Sequence, residues 1–188
     1  MFDVQFIPDG STIFVVSSDK EQITCFIDRI LHAKSDISHV IKYSKDRPYS
    51  SDLVKEEILN RQFNLFSERH TSPETDRRMI AVFDDCFLDG AWRTDRYMHP
   101  FFNMGRSLSM TSLFGLSHIG GIPPSRRYGI DVLFVGPLQE IEQKRIHDQF
   151  VAHCSLEEFS KRLEEETWVA IRLDVVEAVL DSKFFCKF

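Results

Sequence analysis

Short apolar runs of strand length alternate along this chain with segments of helical periodicity, and this alternation constrains the fold more than any other feature. The run at residues 79–83 is continuous and is followed by Asp84 and Asp85, as in a central strand that is covered on both faces. Alternating strands and helices are typical of a mostly parallel central sheet with helices on both faces. We therefore predict an α/β fold with about six strands.

The predicted elements follow one another in regular order. The strands are expected at residues 12–16, 38–43, 79–83, 110–116, 130–135 and 168–173, with a shorter alternation at Phe2, Val4 and Phe6 before them. The helices are expected at residues 18–33 and 52–66, in part of 94–107, after Pro137, and from Ser155 onward. Helical spacing places four residues on one face of the helix at 52–66: Val54, Ile58, Gln62 and Leu65. The helix after Pro137 is marked by Leu138, Ile141, Ile146 and Phe150, and the helix from Ser155 has Leu156, Phe159 and Leu163 facing inward.

Length and composition indicate one domain, residues 1–188. A chain of 188 residues of which 43% are hydrophobic can bury a substantial core and is within the size of a single domain. No apolar run approaches the roughly 20 residues that span a bilayer. The first residues also lack the basic start and apolar stretch of a secretory signal. We expect no membrane association and an intracellular location.

Cysteine and histidine spacings argue against the common metal centres. Cys25, Cys86, Cys154 and Cys186 lie far apart with no C-x-x-C pair, which is typical of reduced thiols in an intracellular protein. The seven histidines are equally scattered and have no partner at a metal-ligand spacing. We therefore predict neither a zinc site nor a haem site.

Net charge limits the partners of this chain. The formal net charge of −6 opposes non-specific binding to nucleic acid, because phosphate backbones bind to basic surfaces. Any contact with DNA would have to be local.

Polar side chains follow several of the predicted strands. In open α/β sheets, ligands bind outside the carboxyl ends of the strands. The residues at these positions are Ser17-Ser18, Asp84-Asp85, Ser117-His118 and Arg126-Arg127. An apolar strand that ends in two acids is the Walker B arrangement, in which one carboxylate holds the water shell of Mg²⁺ and the next orients or deprotonates the attacking water. This signal is weak by itself, because apolar strands also end in acidic turns.

Three segments in a fixed order resemble one family of ATPases. Residues 80–86 resemble that family's Walker B strand, with its paired acids and following cysteine. Residues 103–106 resemble its Asn-Gly-Arg-His stretch, from which Met104 and Ser107 depart. Residues 121–131 are similar to its Ile-Pro-Pro-x-x-Arg-x-Asn-Ile-Asp segment. The family is that of the FtsK/HerA-like P-loop ATPases, most closely the DNA-packaging ATPases of large double-stranded DNA viruses.

The resemblance, which spans residues 11–174, implies a role for several side chains. Asp84 would hold Mg²⁺, and Asp85 would act as the catalytic base. Arg127 stands at the arginine of the last segment, and either Arg127 or Arg106 would serve as an arginine finger.

The phosphate-binding loop is where the chain departs most from this family. The family's Gly-x-x-x-x-Gly-Lys-Ser/Thr turn falls at residues 17–24, where only Thr24 matches, at the position of the magnesium-binding hydroxyl. Ser17 and Gln22 replace the two glycines. Ile23 replaces the lysine that reaches the β- and γ-phosphates. The resemblance therefore implies a degenerate loop.

The residues of this turn favour a different local structure. Ser18 and Glu21 have the spacing of a capping box, with Asp19 beside them, so the helix N-terminus would be satisfied by its own side chains and would repel a triphosphate. Lys20 would be either a displaced phosphate ligand or, as we favour, a solvated surface lysine. Ser117 falls near the family's polar sensor position, where the family has glutamine, and is a second departure.

Three functional hypotheses follow. We favour a non-catalytic paralogue, a pseudo-ATPase with a structural or regulatory role, whose partners are copies of itself in a ring, a related ATPase or a capsid component, in the host cytoplasm or the virion. The second hypothesis is an active ATPase that couples ATP hydrolysis to DNA translocation into capsids. The third is a Mg²⁺-dependent α/β hydrolase that uses Asp84 and Asp85, with Asp89 and Asp95 as further acids. ATP and Mg²⁺ are the cofactors that the resemblance implies, and the altered loop argues against both.

Overall fold

The fold is built on one β-sheet with helices on both of its faces. A computed structural model describes residues 7–37, 39–68, 78–87, 91–122, 124–151, 154–173 and 179–180. Within these residues the strands are β1 (Thr12–Val16), β2 (His39–Tyr43), β3 (Met79–Asp84), β4 (Met110–Leu116), β5 (Val132–Val135), β6 (Val169–Arg172) and β7 (Val179–Leu180). The helices are α1 (Lys20–Ala33), α2 (Ser51–Glu68), α3 (His99–Asn103), α4 (Pro124–Arg127), α5 (Glu140–Phe150) and α6 (Leu156–Glu165). Short 3₁₀ turns lie at Ala91–Arg93, Arg96–Met98 and Ile119–Gly121.

The strand order across the sheet is β2-β3-β4-β1-β5-β6-β7. The first five strands in this order are parallel, whereas β6 is antiparallel to β5 and β7 is antiparallel to β6. The predicted α/β fold with a mostly parallel sheet is confirmed. Because β1 lies between β4 and β5, the turn that follows β1 is flanked by the carboxyl ends of both neighbours.

Both faces of the sheet are buried at its central strands, which explains why β1 and β3 are almost entirely apolar. On one face, α1 packs Ile23, Phe26, Ile27 and Ile30 against the sheet. The opposite face is covered by residues of α2, α3, α5 and α6 around a column of stacked aromatic rings. These rings belong to Tyr43, Phe83, Phe114, Phe14 and Phe102.

At two positions that fit the helical spacing, Ile141 and Gln62, the neighbouring charged residue is buried instead. Ile141 of α5 is 59% exposed, and Glu142 is buried instead, where it accepts a hydrogen bond from the backbone N–H of Ile119 at 3.2 Å. Gln62 of α2 is exposed, whereas Arg61 is buried and donates to a backbone carbonyl at 3.0 Å. In both places a charged side chain satisfies a buried backbone group, and a pattern of apolar residues cannot reveal such an exchange.

The remaining differences concern element type and bounds. The segment at 94–107 is helical only in the 3₁₀ turn Arg96–Met98 and in α3, and β7 was not predicted. The strand expected around Phe2, Val4 and Phe6 and the side chain of Leu65 lie outside the described residues. Among the helices that are described, none is long and apolar enough to span a membrane.

Candidate functional site

The polar side chains that follow β1, β3 and β4 meet at one edge of the sheet. These strands are parallel and adjacent in the order β3-β4-β1, so their carboxyl ends lie side by side. Ser17 follows β1, and its backbone N–H donates to the carbonyl oxygen of Leu116 at 3.3 Å. Asp84 ends β3 and pairs in register with Gly115 of β4. The fold therefore brings three of the four predicted strand-end positions together, those at Ser17, Asp84 and Ser117.

Asp84 is nearly buried, with 7% of its side chain exposed. Its Oδ2 accepts a hydrogen bond from Thr24 Oγ1 at 3.0 Å, and Lys42 Nζ lies 3.7 Å from the same oxygen. Burial raises the pKa of the Asp84 carboxyl above its ordinary value, while the hydrogen bond from Thr24 and the charge of Lys42 act in the opposite direction. The two residues assigned to Mg²⁺ by resemblance, Thr24 and Asp84, are thus in direct contact.

Asp85 has an unusual backbone conformation, with φ of 47°. Aspartate and asparagine adopt this left-handed region more readily than most residues other than glycine. The Asp85 carboxylate is half-exposed, and its Oδ2 accepts a hydrogen bond from Lys20 Nζ at 2.7 Å. The Lys20 side chain is 60% exposed, which fits the solvated surface lysine that we favoured, and it also forms this ion pair with the second strand-end acid.

Lys42 is a residue of this site that the sequence analysis missed. It lies on β2, which pairs with β3, and its Nζ is also 3.3 Å from Asp28 Oδ1 on α1. A lysine within a strand of mostly non-charged residues can indicate a functional role. At Lys42 this role becomes recognisable only when β2 is known to pair with β3, the strand that ends in Asp84.

The turn between β1 and α1 is only three residues long, because α1 begins at Lys20. Its backbone N–H groups have partners within the chain. Those of Ser17 and Ser18 donate to the Leu116 and Pro137 carbonyl oxygens, at 3.3 and 2.9 Å. The Asp19 N–H donates to Ser17 Oγ at 3.2 Å.

Asp19 is the N-cap of α1, so the predicted capping box at Ser18 is wrong. Its Oδ1 accepts hydrogen bonds from the backbone N–H groups of Glu21 and Gln22, at 3.0 and 3.2 Å. Ser18 lies one residue before the cap, and its Oγ donates to the Pro137 carbonyl oxygen at 2.9 Å. The helix therefore starts one residue later than a cap at Ser18 would allow, and its N-terminus holds a carboxylate.

The end of β4 completes this edge of the sheet. A Cβ atom at Gly115 would lie 2.6 Å from Ile23 Cγ2 and 3.2 Å from Asp84 Oδ1, so only glycine lets α1 approach the strand beside the acid. Ser117 follows β4, and its Oγ lies 3.1 Å from His118 Nδ1. The residue near the sensor position is thus a small hydroxyl that contacts its own neighbour.

The two candidate arginine fingers lie away from the strand-end acids of this chain. Arg106 Nη2 donates to Asp131 Oδ1 at 3.2 Å. Asp131 also accepts a hydrogen bond from the backbone N–H of Thr12 at 2.7 Å, so this ion pair lies at the amino-terminal edge of the sheet, opposite the acids. Arg127 donates its Nε to the Ile122 carbonyl oxygen at 3.2 Å, within the connection from β4 to β5. The structure does not bring either guanidinium to Asp84 or Asp85.

The further acids of the hydrolase hypothesis do not join the site either. Asp95 caps the 3₁₀ turn Arg96–Met98 and accepts a short hydrogen bond from the Tyr49 hydroxyl. Burial acts to raise the pKa of Asp95, but hydrogen bonds from Tyr49 and from the Tyr97 N–H hold it below its ordinary value. Asp89 lies outside the described residues, and within the described ranges no three His, Cys, Asp or Glu side chains form a group that could hold a metal ion.

This chain is similar to known proteins in its three-dimensional structure. Neither a protein-family model nor a curated protein matches the sequence significantly. The genome packaging NTPase B204 from Sulfolobus turreted icosahedral virus 2, in complex with ATP-γS, superposes with a TM-score of 0.59 at 12% identity, over 96% of this chain and 100% of that chain. Its complex with AMPPCP gives a TM-score of 0.57 at 12% identity, over 90% and 96%. B204, the DNA-packaging ATPase from Sulfolobus turreted icosahedral virus, gives 0.53 at 12% identity, over 91% and 96%. The chain therefore has the α/β fold of these viral genome-packaging proteins.

Proposed function

We propose that this chain is a non-catalytic protein with a packaging-NTPase fold, a pseudo-ATPase with a structural or regulatory role. The main support is the turn between β1 and α1. Backbone N–H groups of Ser17, Ser18, Asp19, Glu21 and Gln22 all donate to acceptors within the chain. A P-loop offers such groups to the phosphates of a nucleotide. Here they already have partners.

The charge of this turn supports the same proposal. A helix N-terminus is equivalent to about half a positive charge, which favours a bound anion. In α1 this position is already taken by the Asp19 carboxylate, and Glu21 adds a second acid in the first turn. An incoming triphosphate would meet two like charges where it needs donors. The residues present do not fit a triphosphate.

The second candidate is an active ATPase that couples ATP hydrolysis to DNA translocation into capsids. The contact between Thr24 and Asp84 favours it, because hydroxyl and carboxylate oxygens are ligands that suit Mg²⁺. The solved structures similar to this chain include B204 in complex with ATP-γS and with AMPPCP. The pair of Thr24 and Asp84 would be present in an active site and also in an inactive protein that inherited the fold. A measurement of nucleotide binding therefore distinguishes the active ATPase from the pseudo-ATPase.

Titration calorimetry of the purified chain with Mg²⁺ and ATP tests the proposal. We expect no saturable binding, which corresponds to a Kd weaker than about 1 mM. Asp84→Asn is measured in parallel, with Asp148→Asn as a matched control at an exposed acid of α5. Saturable binding that Asp84→Asn weakens and Asp148→Asn leaves unchanged would overturn the proposal and support the active ATPase.

The proposal includes the domain organisation and the partners. We propose that residues 1–188 form one domain, in keeping with a match to B204 that covers the whole of that chain. The partners would be proteins: further copies of this chain in a ring, a related ATPase or a capsid component. The location would be the host cytoplasm or the virion. Contact with DNA belongs to the active alternative.

A further inference from the structure

Two lysine ammonium groups already lie against the acids at the carboxyl edge of the sheet. Lys20 Nζ is 2.7 Å from Asp85 Oδ2. Lys42 Nζ is 3.3 Å from Asp28 Oδ1 and 3.7 Å from Asp84 Oδ2. We propose that these lysines are internal counter-ions that take the place of a divalent cation and keep Mg²⁺ or Mn²⁺ from binding at the strand-end acids. This inference rests on the proposed function, because it extends the loss of the phosphate site to the neighbouring cation site.

Lys42 is positioned by the sheet rather than by a loop. It pairs in register with Val82, two residues before Asp84, in the parallel ladder of β2 and β3. A positive charge about 4 Å from a carboxylate competes directly with any cation that the carboxylate would bind. Since Asp84 is nearly buried, solvent and salt screen this competition less than they would at the surface.

Each acidic side chain of this cluster has an ammonium group within 4 Å. Three carboxylates, those of Asp28, Asp84 and Asp85, have two ammonium partners. The affinity of an oxygen-ligand site for a hard divalent cation depends on the number of charged ligands that are free to bind it. The Lys20 side chain is 60% exposed and that of Lys42 is 36% exposed, so Lys42 is the stronger barrier and Lys20 the weaker one.

Mn²⁺ binding, followed by the loss of the free-ion electron paramagnetic resonance signal, tests this inference in the absence of nucleotide. We expect the unchanged protein to bind no Mn²⁺ up to about 1 mM. The double variant Lys20→Gln/Lys42→Gln should bind at least about tenfold more tightly than the unchanged protein. The matched control Lys144→Gln/Lys161→Gln removes the same charge from exposed positions of α5 and α6, and it should behave like the unchanged protein.

Adding Asp84→Asn to the Lys20/Lys42 double variant should abolish the gain in Mn²⁺ affinity, because the ion would then lose its nearly buried carboxylate ligand. The inference is wrong if the unchanged protein binds Mn²⁺ as tightly as the double variant. It is also wrong if circular dichroism shows that the double variant is folded and its affinity for Mn²⁺ is no higher than that of the control. Should the double variant not fold, Lys20→Gln alone is expected to give a smaller gain, and its absence would count against the inference. These results are independent of the calorimetric test, because ATP is absent.

Discussion

Asp84 ends a buried strand with only 7% of its side chain exposed, and its partners do not fully offset the cost of removing a carboxylate from water. Burial is the largest influence on its pKa, and the hydrogen bond from Thr24 and the charge of Lys42 reduce the shift without reversing it. The folded state therefore holds a proton at Asp84 more readily than the unfolded chain does. Carboxyls with raised pKa values are frequent at functional sites, which fits the position of Asp84 at the strand end.

Asp84→Asn is expected to leave the protein at least as stable as the wild type at pH 7. The amide still accepts a hydrogen bond from Thr24 and has no charge to desolvate. Because the folded pKa lies above the unfolded value of about 3.9, the wild type loses stability as pH rises from that value through the folded pKa. The advantage of the variant should be larger at pH 7 than near pH 4, and it should shrink toward zero below about pH 4. Urea unfolding across this range measures it, and a variant clearly less stable at pH 7 would contradict this account.

At the scale of the element, the start of α1 explains why residues 17–24 cannot form a phosphate-binding loop in this structure. The helix begins at Lys20, so the positions of the second glycine and the lysine, Gln22 and Ile23, are helical. Ile23 is 3% exposed and packs beside Gly115 of β4. The same residues cannot both wrap a phosphate as a loop and cover the sheet as a helix.

Asp19→Ala is expected to lower the free energy of unfolding by about 1 kcal/mol, because two N–H groups of the first turn lose their acceptor. Asp19→Asn is the matched control, since its amide oxygen accepts the same hydrogen bonds, and it should remain close to the wild type. Urea unfolding of the three proteins measures the difference. Equal stability of Asp19→Ala and the wild type would mean that the cap does not stabilise α1.

At the scale of the whole molecule, aromatic rings link the sheet to the connections that cover it. Phe114 of β4 is at the centre of this column, with ring centroids 4.7 Å from Phe14, 4.8 Å from Phe83 and 4.8 Å from Phe102. Phe102 lies in α3, so the column extends from the central strands to the helices of one face. Such a column holds together segments that are far apart in the sequence.

Phe114→Ala is expected to lower the free energy of unfolding by about 3–5 kcal/mol, since Phe114 is fully buried and its loss leaves a cavity. Tyr128→Ala serves as a control for loss of an aromatic ring, because Tyr128 is 94% exposed, and it should change stability by less than about 0.5 kcal/mol. Thermal unfolding of both variants tests this. Similar values for the two would contradict the assigned core.

Only part of the candidate site could be predicted from the sequence. The strand that ends in Asp84 could be identified from a local apolar pattern, and the hydroxyl of Thr24 from the resemblance of residues 17–24 to a phosphate loop. Lys42 could not, because its importance depends on the pairing of β2 with β3. The cap was assigned to Ser18 instead of Asp19, because both side chains can cap a helix and only the structure shows that α1 begins directly after Asp19.

The amino-acid sequence by itself determined the type, order and approximate bounds of most elements, because apolar periodicity directly reflects which side of a strand or helix is buried. The predicted strand at residues 110–116 is β4, Met110–Leu116. Only the tertiary structure decided which strand ends meet, that Arg106 lies at the opposite edge from Asp84, and that two lysines lie against the acids. These features depend on strand order and register between distant segments, which no local period encodes.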